Sequence, residues 1–278
     1  MLVPRLSPLS PGGEGWGEGK SIVSALLIMM LAPPAHADEL KVMAFNVLFK
    51  GADDAKSLSA VRDADADVVC LTELTPAFVK RFEADAALMK RYPHRSFAPQ
   101  TGTWGVGFAS KVPLSGVQTF AVAPIKLPAM EASVPFGAAG ASVKLTCVHL
   151  IPPGGKDGVT LETLAKTEVV REKQATTLTA RYAKLKTPSV LLGDFNEEPG
   201  GKTLRALAKA GWERGCLLPD SSCTPTFPGP VVAWPAVFTI DHVLARGLEF
   251  ESSATVRAGG SDHYPVVAVL KPAAPKTE

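Results

Sequence analysis

From residue 40 to the C-terminus, short apolar runs alternate with polar turns, a pattern typical of β-strands. The runs rich in Val, Leu, Ile and Phe predict strands over residues 40–48, 67–71, 105–110, 116–122, 141–150, 189–192, 238–244, 250–256 and 265–270. Longer amphipathic stretches predict helices over residues 57–62, 76–88, 160–184 and 203–210. Many short strands with a few helices between them favour two packed sheets flanked by helices.

The N-terminal segment has the pattern of an export signal. Lys20 precedes an apolar run over residues 22–32, and Ala35 and Ala37 form a small-x-small cleavage site. The run is shorter than the about 20 residues that a transmembrane helix needs. We therefore expect a leader and signal peptide over residues 1–37 and a periplasmic or secreted protein. An uncleaved anchor or a buried helix is the alternative.

The composition is that of an ordinary globular protein, with 46% hydrophobic and 20% charged residues. We expect one domain over residues 38–271, a mobile tail over residues 272–278, and a monomer without a stable membrane span. The formal net charge of +2 argues against a strongly basic surface that coats nucleic acid. It does not exclude a nuclease, because a cleft can be locally basic or take positive charge from a metal ion.

The four cysteines fall into two groups. Cys216 and Cys223 lie close together in a turn-rich stretch and could form a disulfide in an oxidising compartment, although the sequence leaves this open. Cys70 and Cys147 lie in apolar strand-like runs, so we expect them to be buried and to act as small hydrophobic residues. There is no C-x-x-C pair that would indicate structural zinc.

Polar side chains stand at the ends of several predicted strands, where loops build active sites on a rigid sheet. Asn46 lies in MAFNVL, Glu73 follows DVVCLT, and His149 lies in LTCVHL. Each has an ordinary alternative: a structural hydrogen bond for the amide, a surface position for the carboxylate, and a satisfied core position for the imidazole. A carboxylate just past a buried strand nevertheless suits a hard cation such as Mg²⁺.

The segment GDFN is the most informative local motif of the chain. Asp194 and Asn196 are two residues apart, so their side chains leave the same face if the strand continues. A carboxylate and an amide would then stand side by side at the end of a strand. The alternative is a turn in which both residues serve only the backbone.

Two further segments place an acid beside a histidine. Neighbours on a strand point to opposite faces, so we assign Asp241 to the site and His242 to packing. Asp262 and His263 follow two glycines and precede a proline, which places them in a loop or at a strand start. Both of these side chains could therefore reach one cleft.

The order of these residues along the chain resembles the endonuclease/exonuclease/phosphatase superfamily, which includes the pancreatic-type deoxyribonucleases. The match extends from about residue 40 to residue 270 and rests on Asn46, Glu73, His149, Gly193, Asp194, Phe195, Asn196, Asp241, Ser261, Asp262 and His263. The segments around them are similar to an exported bacterial branch. The resemblance implies an α/β fold, a four-layer sandwich of two packed, mainly antiparallel sheets flanked by helices.

The resemblance also implies one or two Mg²⁺ or Mn²⁺ ions and in-line attack of water on a phosphoester. Carried over to this sequence, Glu73 is expected to be the principal metal ligand, with Asn46 and Asp262 assisting. Some nucleases of the superfamily have an acid two positions after the first-strand asparagine, whereas this chain has Leu48. Basic insertions that clamp DNA are not evident either, and both departures, together with the export signal, argue against a role in DNA repair.

The remaining residues are expected to act on the water and the phosphate. The resemblance implies that Asp194 orients or activates the attacking water and that Asn196 holds a phosphate oxygen. Asp241 would fix the ring of His263, which accepts a proton near neutral pH. His149 would contact the phosphate or assist the leaving group.

Other functions fit the sequence less well. A calcineurin-like metallophosphoesterase would need an early Asp-x-His and a Gly-Asn-His segment, and neither is present. A non-catalytic binding homologue would be favoured by the loss of a polar site residue. Within the superfamily, nucleic acid, a phospholipid headgroup and a small phosphomonoester all remain candidate substrates. Trp104, Phe227 and Trp234 could border the cleft and stack on bases, or simply anchor their loops.

Overall fold

Twelve strands in the described part of the chain form two six-stranded sheets. The computed structural model describes residues 39–274 except residues 49, 138–140, 156–157 and 218–221. The predicted leader and signal peptide and residues 275–278 of the predicted tail lie outside the described residues. No helix in the described part is long and apolar enough to cross a membrane.

The strand order interleaves distant parts of the chain. The first sheet consists of β1 (Leu40–Asn46), β2 (Val68–Thr72), β3 (His94–Ala98), β4 (Val106–Ser110), β11 (Leu248–Thr255) and β12 (Val266–Pro272). The second sheet consists of β5 (Ser115–Val122), β6 (Leu127–Pro135), β7 (Ser142–His149), β8 (Ser189–Asp194), β9 (Glu213–Arg214) and β10 (Asp241–Arg246). Their orders are β11-β12-β1-β2-β4-β3 and β5-β6-β7-β8-β10-β9.

Both sheets have the same pairing pattern, in which one central parallel pair is flanked by antiparallel strands. β1 pairs in parallel with β2, and β7 pairs in parallel with β8. The other strand pairs are antiparallel. The predicted sandwich of mainly antiparallel sheets is therefore confirmed. Because two parallel strands end at the same edge of a sheet, each sheet presents the carboxyl ends of two neighbouring strands side by side.

Helices cover the outer faces of both sheets and complete four layers. They are α1 (Asp54–Ala64), α2 (Pro76–Ala84), α3 (Ala86–Arg91), α4 (Leu161–Tyr182) and α5 (Lys202–Lys209). One apolar core lies between the two sheets, a second packs the first sheet against α1 to α3, and a third packs the second sheet against α4 and α5. Burial of apolar surface in these three layers is the main stabilising contribution.

Several predicted boundaries were wrong, and side-chain capping explains one of them. The helix predicted over residues 76–88 is interrupted at Asp85, whose carboxylate accepts the backbone N–H groups of Ala87 and Leu88 and so starts a new helix. The strand predicted to begin at residue 238 begins at Asp241. Strands β3, β6 and β9 were missed, and the last strand, predicted over residues 265–270, spans Val266–Pro272.

The strand β6 was missed because it carries a buried acid. Glu131 is 2% exposed and accepts hydrogen bonds from Arg181 at 2.6 Å, from Lys144 at 3.1 Å and from Gln118. Burial alone would raise the pKa of Glu131, but these hydrogen bonds outweigh it and lower the pKa to about 2. The carboxylate therefore stays charged inside the fold, where it ties β6 to β7 and α4.

Glu131→Gln is expected to lower the free energy of unfolding at pH 7 by roughly 1–3 kcal/mol, because three donors lose a charged acceptor. The folded pKa of about 2 lies below the ordinary value of 4.5. The stabilisation is thus fully present above about pH 5 and is lost as the pH falls towards 2. Urea unfolding at pH 7 and pH 3 measures both effects.

The matched control for this prediction is Glu162→Gln, which removes the exposed partner of Lys166 on α4. Its effect should stay within about 0.5 kcal/mol at either pH, as is usual for exposed ion pairs. An equal loss in both variants, or a Glu131→Gln effect that does not change with pH, would contradict the assigned role.

Both pairs of cysteines form disulfides. Cys216 and Cys223 are bonded, which resolves the alternative that the sequence left open. Cys70 of β2 and Cys147 of β7 are also bonded, with 5.4 Å between their Cα atoms, so they are not only the small hydrophobic residues that the sequence predicted. Their predicted burial is confirmed. The pairing was missed because it joins strands of different sheets, 77 residues apart, that meet only after the sheets pack.

Candidate active site

The carboxyl ends of the two parallel strand pairs bring four predicted residues together. Asn46 ends β1 and Glu73 follows β2, while His149 ends β7 and Asp194 ends β8. His149 and Asp194 lie opposite each other in the register of their sheet. Because the sheets are packed face to face, the two strand-end pairs meet across the sandwich.

Asp194 is the centre of this cluster. Its Oδ2 accepts a hydrogen bond from Nδ2 of Asn46 at 3.0 Å and lies 3.5 Å from Nε2 of His149 and 3.7 Å from Nε2 of His263. The same Asn46 amide donates to Oε1 of Glu73 at 3.1 Å. Burial raises the pKa of the Asp194 carboxyl, although the charge of His263 and the Asn46 amide oppose that shift.

His263 and Asp241 form a buried hydrogen-bonded pair. Nδ1 of His263 lies 2.8 Å from Oδ2 of Asp241, the first residue of β10, which stands opposite Asp194 in the sheet. Burial would lower the pKa of the imidazole, but the carboxylates of Asp241 and Asp194 outweigh it and raise the pKa. The ring therefore carries a proton towards Asp241 and directs Nε2 into the cluster.

The loop before His263 is held against β1. The hydroxyl of Ser261 donates to the carbonyl of Asn46 at 2.7 Å and accepts the backbone N–H of His263 at 3.1 Å. A Cβ atom at Gly260 would lie 2.0 Å from the carbonyl oxygen of Asp53, so only glycine fits this close approach. These contacts fix the imidazole relative to the end of the first strand.

His149 is oriented by a different loop. Its Nδ1 lies 3.0 Å from the carbonyl oxygen of Thr103, and its ring packs on Trp104 with 5.1 Å between centroids. Burial lowers the pKa of His149, so this imidazole has less tendency to carry a charge than an exposed one. The sequence placed His149 near the site but did not identify the loop that orients it.

The backbone conformation that brings Asn196 to the cleft differs from the predicted one. The strand does not continue past Asp194, whose Oδ1 accepts the backbone N–H of Asn196 at 2.8 Å and closes a tight turn. Asn196 has a φ of 51°, and its Nδ2 donates to the carbonyl of Leu150 at 3.0 Å. The prediction that Asp194 and Asn196 share one face of a continued strand was therefore wrong, although both residues line the cleft.

Asp262 and His242 occupy different environments. Asp262 is partly exposed, lines the cleft and places Oδ1 4.0 Å from Nε2 of His263. His242 is fully buried, with Nε2 2.8 Å from the carbonyl oxygen of Glu197 and its ring against Phe195. Burial lowers the pKa of His242 to about 4, which suits a neutral packing residue.

Sequence reasoning missed the polar face of α4 that supports the site. Arg171 is buried, with Nε 2.5 Å from Oε2 of Glu197, and its Nη1 donates to the carbonyl of Ile151 at 3.1 Å. Gln174 accepts the backbone N–H of Ile151 at 3.2 Å. One helix thus holds the loops that follow β7 and β8. The available signal was the i, i+3 spacing of Arg171 and Gln174 on the face that also carries Leu178.

A cleft of about 840 Å³ opens beside these residues. Glu73, His149 and His263 are among the polar residues that line it. Phe227 also lines it and packs on His263 with 5.0 Å between ring centroids. Trp234 is highly exposed and is not among the described lining residues.

Two packed mixed sheets, with acids, amides and imidazoles gathered at their strand ends, define an α/β-sandwich protein with a candidate hydrolytic site. The model of the Endonuclease/Exonuclease/phosphatase family matches residues 43–263. The chain belongs to this family, whose members are hydrolases that act on phosphoesters. The family resemblance drawn from the sequence is confirmed. A search of curated protein sequences finds no match.

Solved structures share the fold at low sequence identity. A conserved protein of unknown function from Enterococcus faecalis has a TM-score of 0.66 at 16% identity, covering 84% of this chain and 100% of that one. TDP2 of D. rerio, complexed with a single-strand DNA product, has a TM-score of 0.63 at 15% identity, covering 84% and 99%. A mannosyl-6-phosphatase from Bacteroides thetaiotaomicron has a TM-score of 0.63 at 15% identity, covering 83% and 99%.

Proposed function

We propose that this chain is a divalent-metal-dependent phosphodiesterase that hydrolyses its substrate by in-line attack of water. The observation that carries the proposal is the set of contacts around Asp194, which join Asn46, His149 and His263 beside one open cleft. These groups come from both sheets and from four separate segments. Ordinary packing does not require so many titratable groups to share one buried point.

The residues around the cleft fit a hard divalent cation. The carboxylate oxygens of Glu73 and Asp262, and the amide oxygen of Asn46, which also accepts the backbone N–H of Leu48 at 3.0 Å, would be the kind of donors that Mg²⁺ or Mn²⁺ prefers. A buried group of Asp194, Asp241 and His263 also brings ligand atoms within 4.8 Å of one another. In that group, however, the contact between Asp241 and His263 is a hydrogen bond, so we assign the ion to the side of Glu73. When bound, the ion supplies charge neutralisation and polarises the phosphoryl oxygen.

Protein groups would then activate water and hold the phosphate. Asp194 and His263 act as a pair: both orient the water, and its proton passes to the Asp194 carboxylate, while Asp241 keeps the ring of His263 in place. The water oxygen bonds to phosphorus, and one P–O ester bond breaks with its electron pair. The leaving oxygen takes up a proton, so the products are a phosphomonoester and an alcohol. Asn196 would hold a phosphate oxygen, and His149 would contact the phosphate or assist the leaving group.

We further propose that the protein is exported through the signal over residues 1–37. Its two disulfides support this, because disulfides form and persist in oxidising compartments such as the periplasm or the exterior of the cell. A fusion of residues 1–37 to a reporter should reach the periplasm, and retention of the reporter in the cytoplasm would contradict the proposal.

Hydrolysis of bis-p-nitrophenyl phosphate tests the proposed activity. The purified protein should release p-nitrophenol with Mg²⁺ or Mn²⁺, and EDTA should reduce the rate at least about tenfold because the ion offsets phosphate charge. Excess Mg²⁺ should restore the rate. Parallel assays with p-nitrophenyl phosphate distinguish a phosphomonoesterase. Absence of turnover with either ion, or activity that is unaffected by EDTA, would overturn the proposal.

A further inference from the structure

The segment that follows His149 is tied to the turn that carries Asn196. The N–H of Leu150 donates to the carbonyl of Asp194 at 2.9 Å, and the carbonyl of Leu150 accepts Nδ2 of Asn196 at 3.0 Å. A displacement of either segment would therefore change the separation of His149 and Asn196, the two residues proposed to contact the phosphate.

The next residue, Ile151, is bonded to α4 instead. Its N–H donates to Oε1 of Gln174 at 3.2 Å, and its carbonyl accepts Nη1 of Arg171 at 3.1 Å. Both side chains are buried and lie three residues apart on one face of the helix. The position of the segment after His149 therefore depends on where α4 holds these two side chains.

The guanidinium of Arg171 is itself bound by Glu197, the residue after Asn196. Oε2 of Glu197 lies 2.5 Å from Nε of Arg171, and both side chains are buried. Oε1 of Glu197 accepts the backbone N–H of Thr203 in the first turn of α5 at 3.4 Å. The carbonyl oxygen of Glu197 lies 2.8 Å from Nε2 of His242 on β10. Glu197 thus connects α4, α5 and β10 at the point where the chain leaves Asn196.

A glycine leaves room for the Glu197 carboxylate. A Cβ atom at Gly201 would lie 1.9 Å from Oε1 of Glu197 and 2.3 Å from its Cδ. Gly201 has a φ of −70°, which any residue adopts, so glycine is needed here for space and not for backbone conformation. A methyl group at this position would displace the carboxylate without changing any charge.

Stability alone does not account for a buried ion pair at this position. Taking two charges out of water costs free energy, and well-packed apolar residues in place of such a pair often give an equally stable protein. A planar guanidinium, in contrast, fixes direction. Arg171 bonds Glu197 through Nε and Ile151 through Nη1, so one rigid group sets the distance between the two segments.

We propose that Arg171 and Glu197 are positioning residues that fix His149 and Asn196 relative to each other, an inference that rests on the proposed phosphodiesterase function. Arg171 acts through Ile151 on the side of His149, and Glu197 acts through the backbone on the side of Asn196. Neither is assigned a contact with the reacting atoms. Loss of the pair should slow the reaction of bound substrate, because a misplacement of about 1 Å can cost roughly 10²-fold in rate.

The first test removes the pair without leaving a buried charge unpaired. Arg171→Met/Glu197→Gln retains an amide oxygen that can accept the N–H of Thr203, so the thermal midpoint should stay within about 5 °C of the wild-type value. With Mg²⁺ and bis-p-nitrophenyl phosphate, kcat should fall about 10–100-fold. KM should change less than about twofold, because the loss concerns the reaction of bound substrate.

The matched control is Arg181→Met/Glu131→Gln, which removes another ion pair between α4 and the second sheet, with 2.6 Å between Nε and Oε2. It should keep wild-type kcat in assays below its thermal midpoint, whatever its effect on stability. A loss of kcat in the control as large as that of the Arg171→Met/Glu197→Gln protein would show that disruption of α4, and not positioning, lowers the rate.

The second test leaves both side chains of the pair unaltered. Gly201→Ala should lower kcat at least about fivefold, because the added methyl group displaces the Glu197 carboxylate from Arg171. Gly200→Ala is the control, since a Cβ atom there would meet no heavy atom within 4 Å, and it should keep wild-type kcat. Equal kcat values for these two variants would contradict the positioning role.

A double-mutant cycle tests whether the pair acts through Asn196. Asn196→Ala should lower kcat by a smaller factor in the Arg171→Met/Glu197→Gln protein than in the wild type, because the amide is already misplaced there. Equal factors in the two backgrounds would show that the pair does not act through Asn196, and the inference would be wrong.

The outcomes separate this inference from the function on which it rests. If the wild-type protein hydrolyses the diester and Arg171→Met/Glu197→Gln keeps its kcat, the positioning role is wrong and the phosphodiesterase stands. The same holds if the variant raises KM and leaves kcat unchanged, since Arg171 would then contact the substrate directly. If the wild-type protein hydrolyses no diester with Mg²⁺ or Mn²⁺, both proposals fail.

Discussion

His263→Ala is expected to lower kcat on bis-p-nitrophenyl phosphate by about 10²–10⁴-fold, the usual contribution of an acid–base group. The imidazole lies 2.8 Å from Asp241 and 3.7 Å from Asp194, so its loss removes one member of the pair that orients and deprotonates the water and leaves two buried carboxylates without their shared partner. Alanine at this position keeps the backbone N–H that Ser261 accepts. The fold should therefore survive, and circular dichroism with thermal unfolding will show whether it does.

The matched control is His94→Ala, which removes a histidine on the edge strand β3, away from the strand ends that form the site. It should retain wild-type kcat. A folded His263→Ala protein with wild-type turnover would contradict the assigned role, and an equal loss in both variants would point to a general effect on stability.

The paired substitution Cys70→Ala/Cys147→Ala is expected to lower the free energy of unfolding by about 4–5 kcal/mol. The disulfide closes a loop with a sequence separation of 77, and the chain-entropy cost that it removes from the unfolded state grows with loop length. It also joins the two sheets below the site, because Cys70 lies three residues before Glu73 and Cys147 two before His149. Urea unfolding of the oxidised proteins measures the loss.

The second disulfide provides the comparison. Cys216 and Cys223 are separated by only 7 residues, so Cys216→Ala/Cys223→Ala should cost about 2–3 kcal/mol. The variant without the long-range bridge should also lose activity at lower urea concentrations, because the strands of Glu73 and His149 are no longer tied. Equal losses for the two variants would show that loop length is not the main source of stabilisation.

Much of the fold could be predicted because most strands are buried on at least one face and read as apolar runs. The residues that carry the family pattern could be found for a related reason. Asn46, Glu73 and Asp194 interrupt or follow apolar runs, and a polar residue in such a position needs a specific explanation. Strand β6 could not be found in this way. Its buried Glu131 is stabilised by Arg181 and other donors from distant segments, which a local pattern does not reveal.

Contacts between side chains and distant segments, which a local sequence pattern does not reveal, also determine the details of the site. The turn at Asn196 depends on a hydrogen bond to the side chain of Asp194, and the spacing of two residues suggested a strand instead. Arg171 appears in the sequence as one more charged residue of a helix, and only the packed structure shows that it holds the loops after β7 and β8. Long-range pairing of Cys70 with Cys147 required knowledge of how the sheets stack.

The register of β1 with β12 has a practical consequence. Leu40 lies opposite Leu270, so the two described ends of the domain emerge as neighbours, at the end of β1 that is remote from Asn46. With six residue steps along the strand, that separation is about 20 Å. A tether or fusion partner joined at either end would therefore attach at the end of β1 that is remote from Asn46. The protein could therefore be immobilised on a bead through either end without a tether at the strand ends that carry Asn46, and the neighbouring ends could be linked in a circularly permuted chain.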